Sequence, residues 1–155
     1  MAANSGSSGM LEDNAHVFPV RVYYEDTDAG GIVYYANYLK FAERARTELL
    51  RLSGINQSVL ISEQGVAFAV RQCSADFLKP ARLDDALEVH TRVLQIRGAS
   101  VEMAQSIKRD GVDMVKVGVK LACMSGFDRP SRIPVPVRAV LLNFVNRKMA
   151  SLDGT

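Results

Sequence analysis

At 155 residues, the chain has the length of one ordinary domain and is too short for two well-cored ones. Its composition, 48% hydrophobic and 23% charged, is that of a globular protein able to bury roughly 70% of its unfolded surface, so folding requires neither disulfide nor metal. A formal net charge of +2 is too small to make nucleic acid or an anionic membrane the main partner.

Residues 1–14 (MAANSGSSGMLEDN) are small and polar and read as a flexible leader outside the fold; no basic stretch followed by an apolar segment marks them as a secretory signal. The domain itself is expected over residues 15–149, with residues 150–155 frayed. Val17 to Tyr24 suits a strand, with Val20, Val22 and Tyr24 on one face. The acidic, glycine-rich run Glu25 to Gly31 then forces a turn. Tyr38, Phe41, Ala42, Ala45, Leu49 and Leu52 share one face of a helix. Asn37 is placed to cap its start and Gly54 to stop it.

Four strand-like segments follow. Gly65 to Lys79 is apolar on both faces at first, as a strand central in a sheet would be. Ala86 to Arg97 alternates with Leu87, Val89, Thr91 and Val93 on one side, and Ser100 to Arg109 with Val101, Met103 and Ile107 inward. Val112 to Met124 sets Val115, Val117, Val119, Leu121 and Cys123 against Lys116, Gly118 and Lys120. Asp110-Gly111 predicts a tight hairpin. After Pro130, Pro134 and Pro136, a short helix fits Val137 to Lys148. One long helix covers only one face of such an antiparallel sheet, so oligomerisation is expected. The longest apolar runs fall far short of the ~20 residues that span a bilayer. Cys73 and Cys123, both in apolar stretches, read as buried thiols in a reducing, cytoplasmic compartment.

Most catalytic arrangements find no support. His16 adjoins the leader and His90 alternates outward, so both read as surface residues and no Ser-His-Asp or Cys-His triad assembles. No Gly-x-Ser-x-Gly elbow, zinc-ligand spacing, Gly-x-Gly-x-x-Gly or P-loop is present. Asp26, Asp28 and Gly31 match the first, third and sixth positions of an EF-hand loop, but Gly30 and Asn37 stand where it needs ligands.

What remains is Asp28, two glycines, and Ile32-Val33-Tyr34-Tyr35 leading into the long helix. A helix start offers unpaired N–H groups and partial positive charge, and a carboxylate facing them could attack a carbonyl or activate water while the donors hold the oxyanion. The plainer reading is that Asp26 and Asp28 cap a turn. Spacing alone leaves both open.

The run Arg21 to Tyr38 (RVYYEDTDAGGIVYYANY) resembles the signature of the 4-hydroxybenzoyl-CoA thioesterase family, and is most similar to its Tol-Pal-associated acyl-CoA thioesterase branch. The resemblance continues through Glu43 to Glu48, Val66 to Phe68 and Pro80 to Asp85. It implies an α+β hotdog fold, in which an antiparallel sheet wraps around one long central helix. It also implies dimers that pair sheet edges, assembling further into homotetramers, with active sites at subunit interfaces. By position in the motif the catalytic carboxylate falls on Asp28, and the carbonyl-polarising backbone N–H on Tyr35. The substrate implied is acyl-CoA, or acyl carrier protein as the alternative carrier, with no metal and no organic cofactor. Several relatives have a histidine where this chain has Tyr35; the backbone N–H survives that change, but a histidine side-chain role does not carry over. For the CoA phosphates Arg82, Arg129 and Arg132 are candidates, as they are for solvated surface arginines. The rival class is a non-catalytic acyl-CoA or acyl-carrier-protein scaffold.

Overall fold

The computed structural model of the chain describes residues 8–126 and 128–153, and for residues 146–153 the backbone alone. Strands β1 (Met10–Glu12) and β2 (Ala15–Arg21) precede helix α1 (Tyr35–Leu52). A short helix α2 (Gln57–Val59) continues into a π turn (Leu60–Gln64). Then come β3 (Val66–Phe77), β4 (Ala86–Ile96), β5 (Ser100–Arg109), β6 (Val112–Ser125), β7 (Arg129–Pro130) and helix α3 (Val135–Asp153). The strands pair antiparallel in the order β1-β2-β4-β5-β6-β3, with β7 joined to the end of β6. Helix α1 lies across one face and touches β2, β4, β5 and β6. An antiparallel sheet around the long helix α1 is the arrangement expected of the hotdog fold; α3, 19 residues long and not short as expected, packs against β4 and joins the same core.

Alternation explains this layering. The inward rows of β4, β5 and β6 named above are buried against Tyr38, Phe41, Ala42, Ala45 and Leu49 of α1. One inward position is polar: buried Gln105 donates to Ala42 O and Thr91 Oγ1 and accepts from Arg46 Nη1, so its hydrogen-bonding capacity is met inside the core. The Asp110-Gly111 hairpin forms as expected, with φ of 52° and 79° at its two central residues. Gly54 follows α1 with φ 92°, the left-handed residue that ends a helix.

Several expectations are corrected. Among the described residues β3 is an edge strand, paired on one side only with β6, and past Phe68 it is mostly exposed, Ala69 and Val70 included; an apolar run on both faces therefore fixes neither burial nor position in the sheet. It therefore adjoins β6 and not β4. Cys73 on that strand is exposed, whereas Cys123 is buried. Helix α1 begins at Tyr35, so Asn37 lies inside its first turn, turned toward Asp26 instead of capping. His16 is fully buried, because β1 pairs with β2 and brings Ser8 over the ring, where Nε2 donates to Ser8 O at 2.7 Å. Of the expected leader, residues 1–7 lie outside the described residues while Met10–Glu12 form β1. Strand β2 stops at Arg21, and Tyr24 enters a 3-10 turn (Tyr24–Asp26). Helix α3 starts two residues earlier than expected, since Pro136 sits in the first turn, where no amide donor is needed. It runs on to Asp153, so residues 150–153 of the frayed end are helical and 154–155 lie outside the described residues.

Candidate active site

The acidic stretch becomes a hairpin-like loop between β2 and α1. At its base Val22 N–H donates to Asp85 O and Val22 O accepts from Asp84 N–H, tying the end of β2 to the start of β4. Asp26 is buried, 4% exposed. Its Oδ2 accepts from Tyr23 N–H and its Oδ1 from Asn37 Nδ2, both at 2.8 Å, while its carbonyl accepts from Tyr34 N–H at 2.9 Å. Beyond it Thr27 bridges Val33, and Asp28 N–H donates to Ile32 O at 2.9 Å. The tip turns at Gly31, whose φ of 80° suits glycine. Gly31 N–H donates to Asp28 O, and Gly30 N–H to Asp28 Oδ1 at 2.8 Å.

A second loop, residues 78–85, braces the first. Ala81 is fully buried; its N–H donates to Tyr38 Oη at 2.9 Å and its carbonyl accepts from Val33 N–H at 2.8 Å. Ile32 bridges Arg82. Asp85 Oδ2 accepts from Arg82 N–H and from Arg109 Nη1, each at 2.8 Å. Burial alone would raise the Asp85 carboxyl, but the Arg82 N–H and then the Arg109 guanidinium hold it below the ordinary carboxylate range.

Asp28 therefore stands on one limb of the loop and Tyr35 at the helix start on the other. The Tyr35 N–H has no protein acceptor among the described residues, as expected for the first amide of a helix. Its ring packs edge-on against Phe77 at 5.9 Å and tilted against Tyr34 at 4.9 Å. Within one chain both expected site residues are exposed, Tyr35 at 60%, and no contact holds the Asp28 carboxylate against the Tyr35 amide.

A cavity of about 390 Å³ opens between α1 and β3, within the size range of small-molecule pockets, about 300–1,000 Å³. Leu39, Glu43, Arg46 and Leu50 line it from α1, Phe68, Val70 and Cys73 from β3, and Met103, Val119 and Leu141 from beneath. Helical periodicity puts Tyr35, Leu39, Arg46 and Leu50 on one face, so the cavity begins one turn below Tyr35. Neither Asp28 nor Tyr35 lines it.

Of the arginines considered for phosphate, only Arg82 adjoins the loop. Arg129 and Arg132 follow the far end of β6, near the turn at Gly98. That end lies about 33 Å from the loop, at ~3.3 Å per residue along β4. Two groups escaped the sequence reading: Asp26, taken with Asp28 as a turn residue, and Phe77. The signal for Asp26 was Asn37, read as a cap.

The Thioesterase superfamily profile matches residues 30–116, a span that includes Tyr35 and begins two residues past Asp28. The acyl-CoA thioesterase YbgC of Haemophilus influenzae is 47% identical over 128 residues, 82% of this chain and 94% of that protein. The acyl-CoA thioester hydrolase YbgC of Escherichia coli O157:H7 is 53% identical over 90 residues, 58% of this chain and 66% of that protein. The crystal structure of a probable thioesterase from Bartonella henselae is similar with TM-score 0.75 at 38% identity, covering 77% of this chain and 99% of that one.

Proposed function

The chain belongs to the Thioesterase superfamily, and from that premise we propose that it hydrolyses acyl-CoA to free acid and CoA thiol, with Asp28 as the acting carboxylate and the Tyr35 backbone N–H as donor to the carbonyl oxygen. The observation that carries this reading is the single hydrogen-bonded loop that bears on one limb an exposed carboxylate held by the Gly30 N–H, and on the other a helix-start amide with no acceptor among the described residues. With the thioester oxygen on that amide, negative charge grows where the helix end favours it. Asp28 either attacks the carbonyl carbon, expelling the thiolate and leaving an acyl-aspartyl anhydride that water then hydrolyses to free acid and the restored carboxylate, or takes a proton from a water that attacks the carbonyl directly. The departing thiolate has the low basicity of a thiol, pKa ~8.5, so no strong general acid is needed. The acyl group runs from Tyr35 along α1 into the cavity.

Within the superfamily we assign the chain to the Tol-Pal-associated acyl-CoA thioesterase branch, on the Arg21–Tyr38 motif and the identity to the YbgC proteins. Two free cysteines fit a reducing, cytoplasmic setting. The unpaired edge of β3 fits a dimer, two of which form a homotetramer. Acyl carrier protein remains the alternative carrier.

The test is Asp28→Asn, assayed by thiol release from a panel of acyl-CoAs. The expected kcat loss is at least ~100-fold, with binding of a non-hydrolysable CoA analogue nearly unchanged. A variant that keeps more than about a third of kcat would remove Asp28 from the chemistry. Wild-type protein that binds acyl-CoA without releasing thiol would instead be the scaffold.

A further inference from the structure

Resting on the assignment of Asp28 and Tyr35 above, we infer that Asp26 is a positioning residue for the reaction: its buried carboxylate clamps the limb carrying Asp28 to the first turn of α1 and so sets where the acting acid stands relative to the open amide. Taking a carboxylate out of water is costly unless it is well bonded. Asp26 is 4% exposed and spends both oxygens, one on Tyr23 N–H at the start of its own turn and the other on Asn37 Nδ2, eleven residues away. A residue that only capped the 3-10 turn would need the first bond alone. The second reaches the third residue of α1, and Asp26 O receives Tyr34 N–H, so the same residue holds the helix start twice.

Asp28 has no such anchorage. Among the described residues its side chain meets only Gly30 N–H, and its place is dictated by the loop backbone above the Thr27–Val33 bridge. Loss of the Asp26 clamp leaves that bridge and the brace from Ala81 as the hinge, with the tip free to tilt. Catalysis is steep in such displacement, about 100-fold for roughly 1 Å.

The expected result for Asp26→Ala is a kcat at least ~30-fold lower, with KM within about threefold. Titration with a non-hydrolysable acyl-CoA analogue should keep the wild-type stoichiometry, so that the loss belongs to folded molecules. The exchange D26N plus N37D keeps both bonds, with donor and acceptor reversed only between positions 26 and 37: the new amide oxygen still accepts from Tyr23 N–H, and its nitrogen donates to the new carboxylate. It should restore kcat to within about threefold of wild type. Added to D28N, D26A should cost less than about threefold, because a residue acting through Asp28 has nothing left to position.

An Asp26→Ala protein with near wild-type kcat while D28N is inactive would overturn this inference and leave the assignment of Asp28 standing. Full additivity of the two substitutions, failure of the exchange to rescue, or a lowered stoichiometry with unchanged kcat per bound site would also overturn it. Activity retained in D28N would remove the assignment itself, and this inference with it.

Discussion

His16 is neutral for a structural reason. Nε2 donates to Ser8 O, which leaves Nδ1 as the acceptor of the ring, and Nδ1 is buried with no partner among the described residues. Protonation would force a charged N–H into a place without an acceptor. Burial accordingly pushes the pKa below 6.5, against the smaller opposing pulls of the Ser8 carbonyl and Glu48. With the folded value lowered, the unfolded chain takes up its proton first as pH falls. The stability that His16 contributes is therefore complete above 6.5 and is lost from there downward, toward the lowered folded value. The limiting slope for one proton is about 1.4 kcal/mol per pH unit. Melting curves of wild type and His16→Asn between neutral pH and the onset of carboxylate titration should diverge in slope, with wild type the steeper; parallel curves would sink this account. None of this was legible beforehand, because a histidine beside a polar leader reads as exposed until β1 is seen to fold back. Asp26 and Asp28 pose the same difficulty in miniature. Motif position singles out Asp28, but only tertiary contact separates the buried acid from the open one.

At the scale of the element, local pattern and observed structure agree wherever the chain's own neighbours decide the outcome. The Asp110-Gly111 turn is the clearest case, with both central residues at positive φ, which matches the twist of the flanking strands. A Cβ on Gly111 would meet nothing within 4 Å. The cost of Gly111→Ala is thus one of backbone conformation and not of crowding, about 1–2 kcal/mol. Asp110→Asn, which tolerates the same region, should be nearly neutral. Denaturant unfolding of the two variants checks this, and equal losses in both would contradict it. The inward rows of β4, β5 and β6 and the buried face of α1 were readable for the same reason: periods of two and 3.6 record which side faces the core. Helix starts are less legible. Asn37 has a capping side chain but spends it on Asp26, and α1 opens at Tyr35 with no side-chain cap at all.

For the whole molecule, the decisive feature is the end of the sheet. Periodicity reports faces but is silent on which strand adjoins which, so the sequence could not place β3 at the edge. As an edge it is a hazard: twelve residues long, it carries Val70 and Phe77 at 53% and 49% exposure, with one row of backbone groups unpaired among the described residues. The cavity opens at the same strand, through Phe68, Val70 and Cys73. Antiparallel pairing of two β3 strands about a twofold axis would satisfy the backbone and wall the cavity in one step. It would also bring the Arg129 and Arg132 end of one copy beside the Asp28 loop of the other, supplying the cationic groups that a single chain holds about 33 Å away. Activity should then depend on assembly. Val70→Lys sets like charges close together at such a seam. Sedimentation at micromolar concentration should show wild type as a dimer or larger and the variant shifted toward monomer, with thiol release per chain down at least ~10-fold. Because Val70 also lines the cavity, loss of both together supports a site shared between copies only where wild-type activity per chain falls likewise on dilution to monomer. A wild-type monomer at full activity, or a monomeric Val70→Lys protein that hydrolyses as wild type does, would show that one chain suffices.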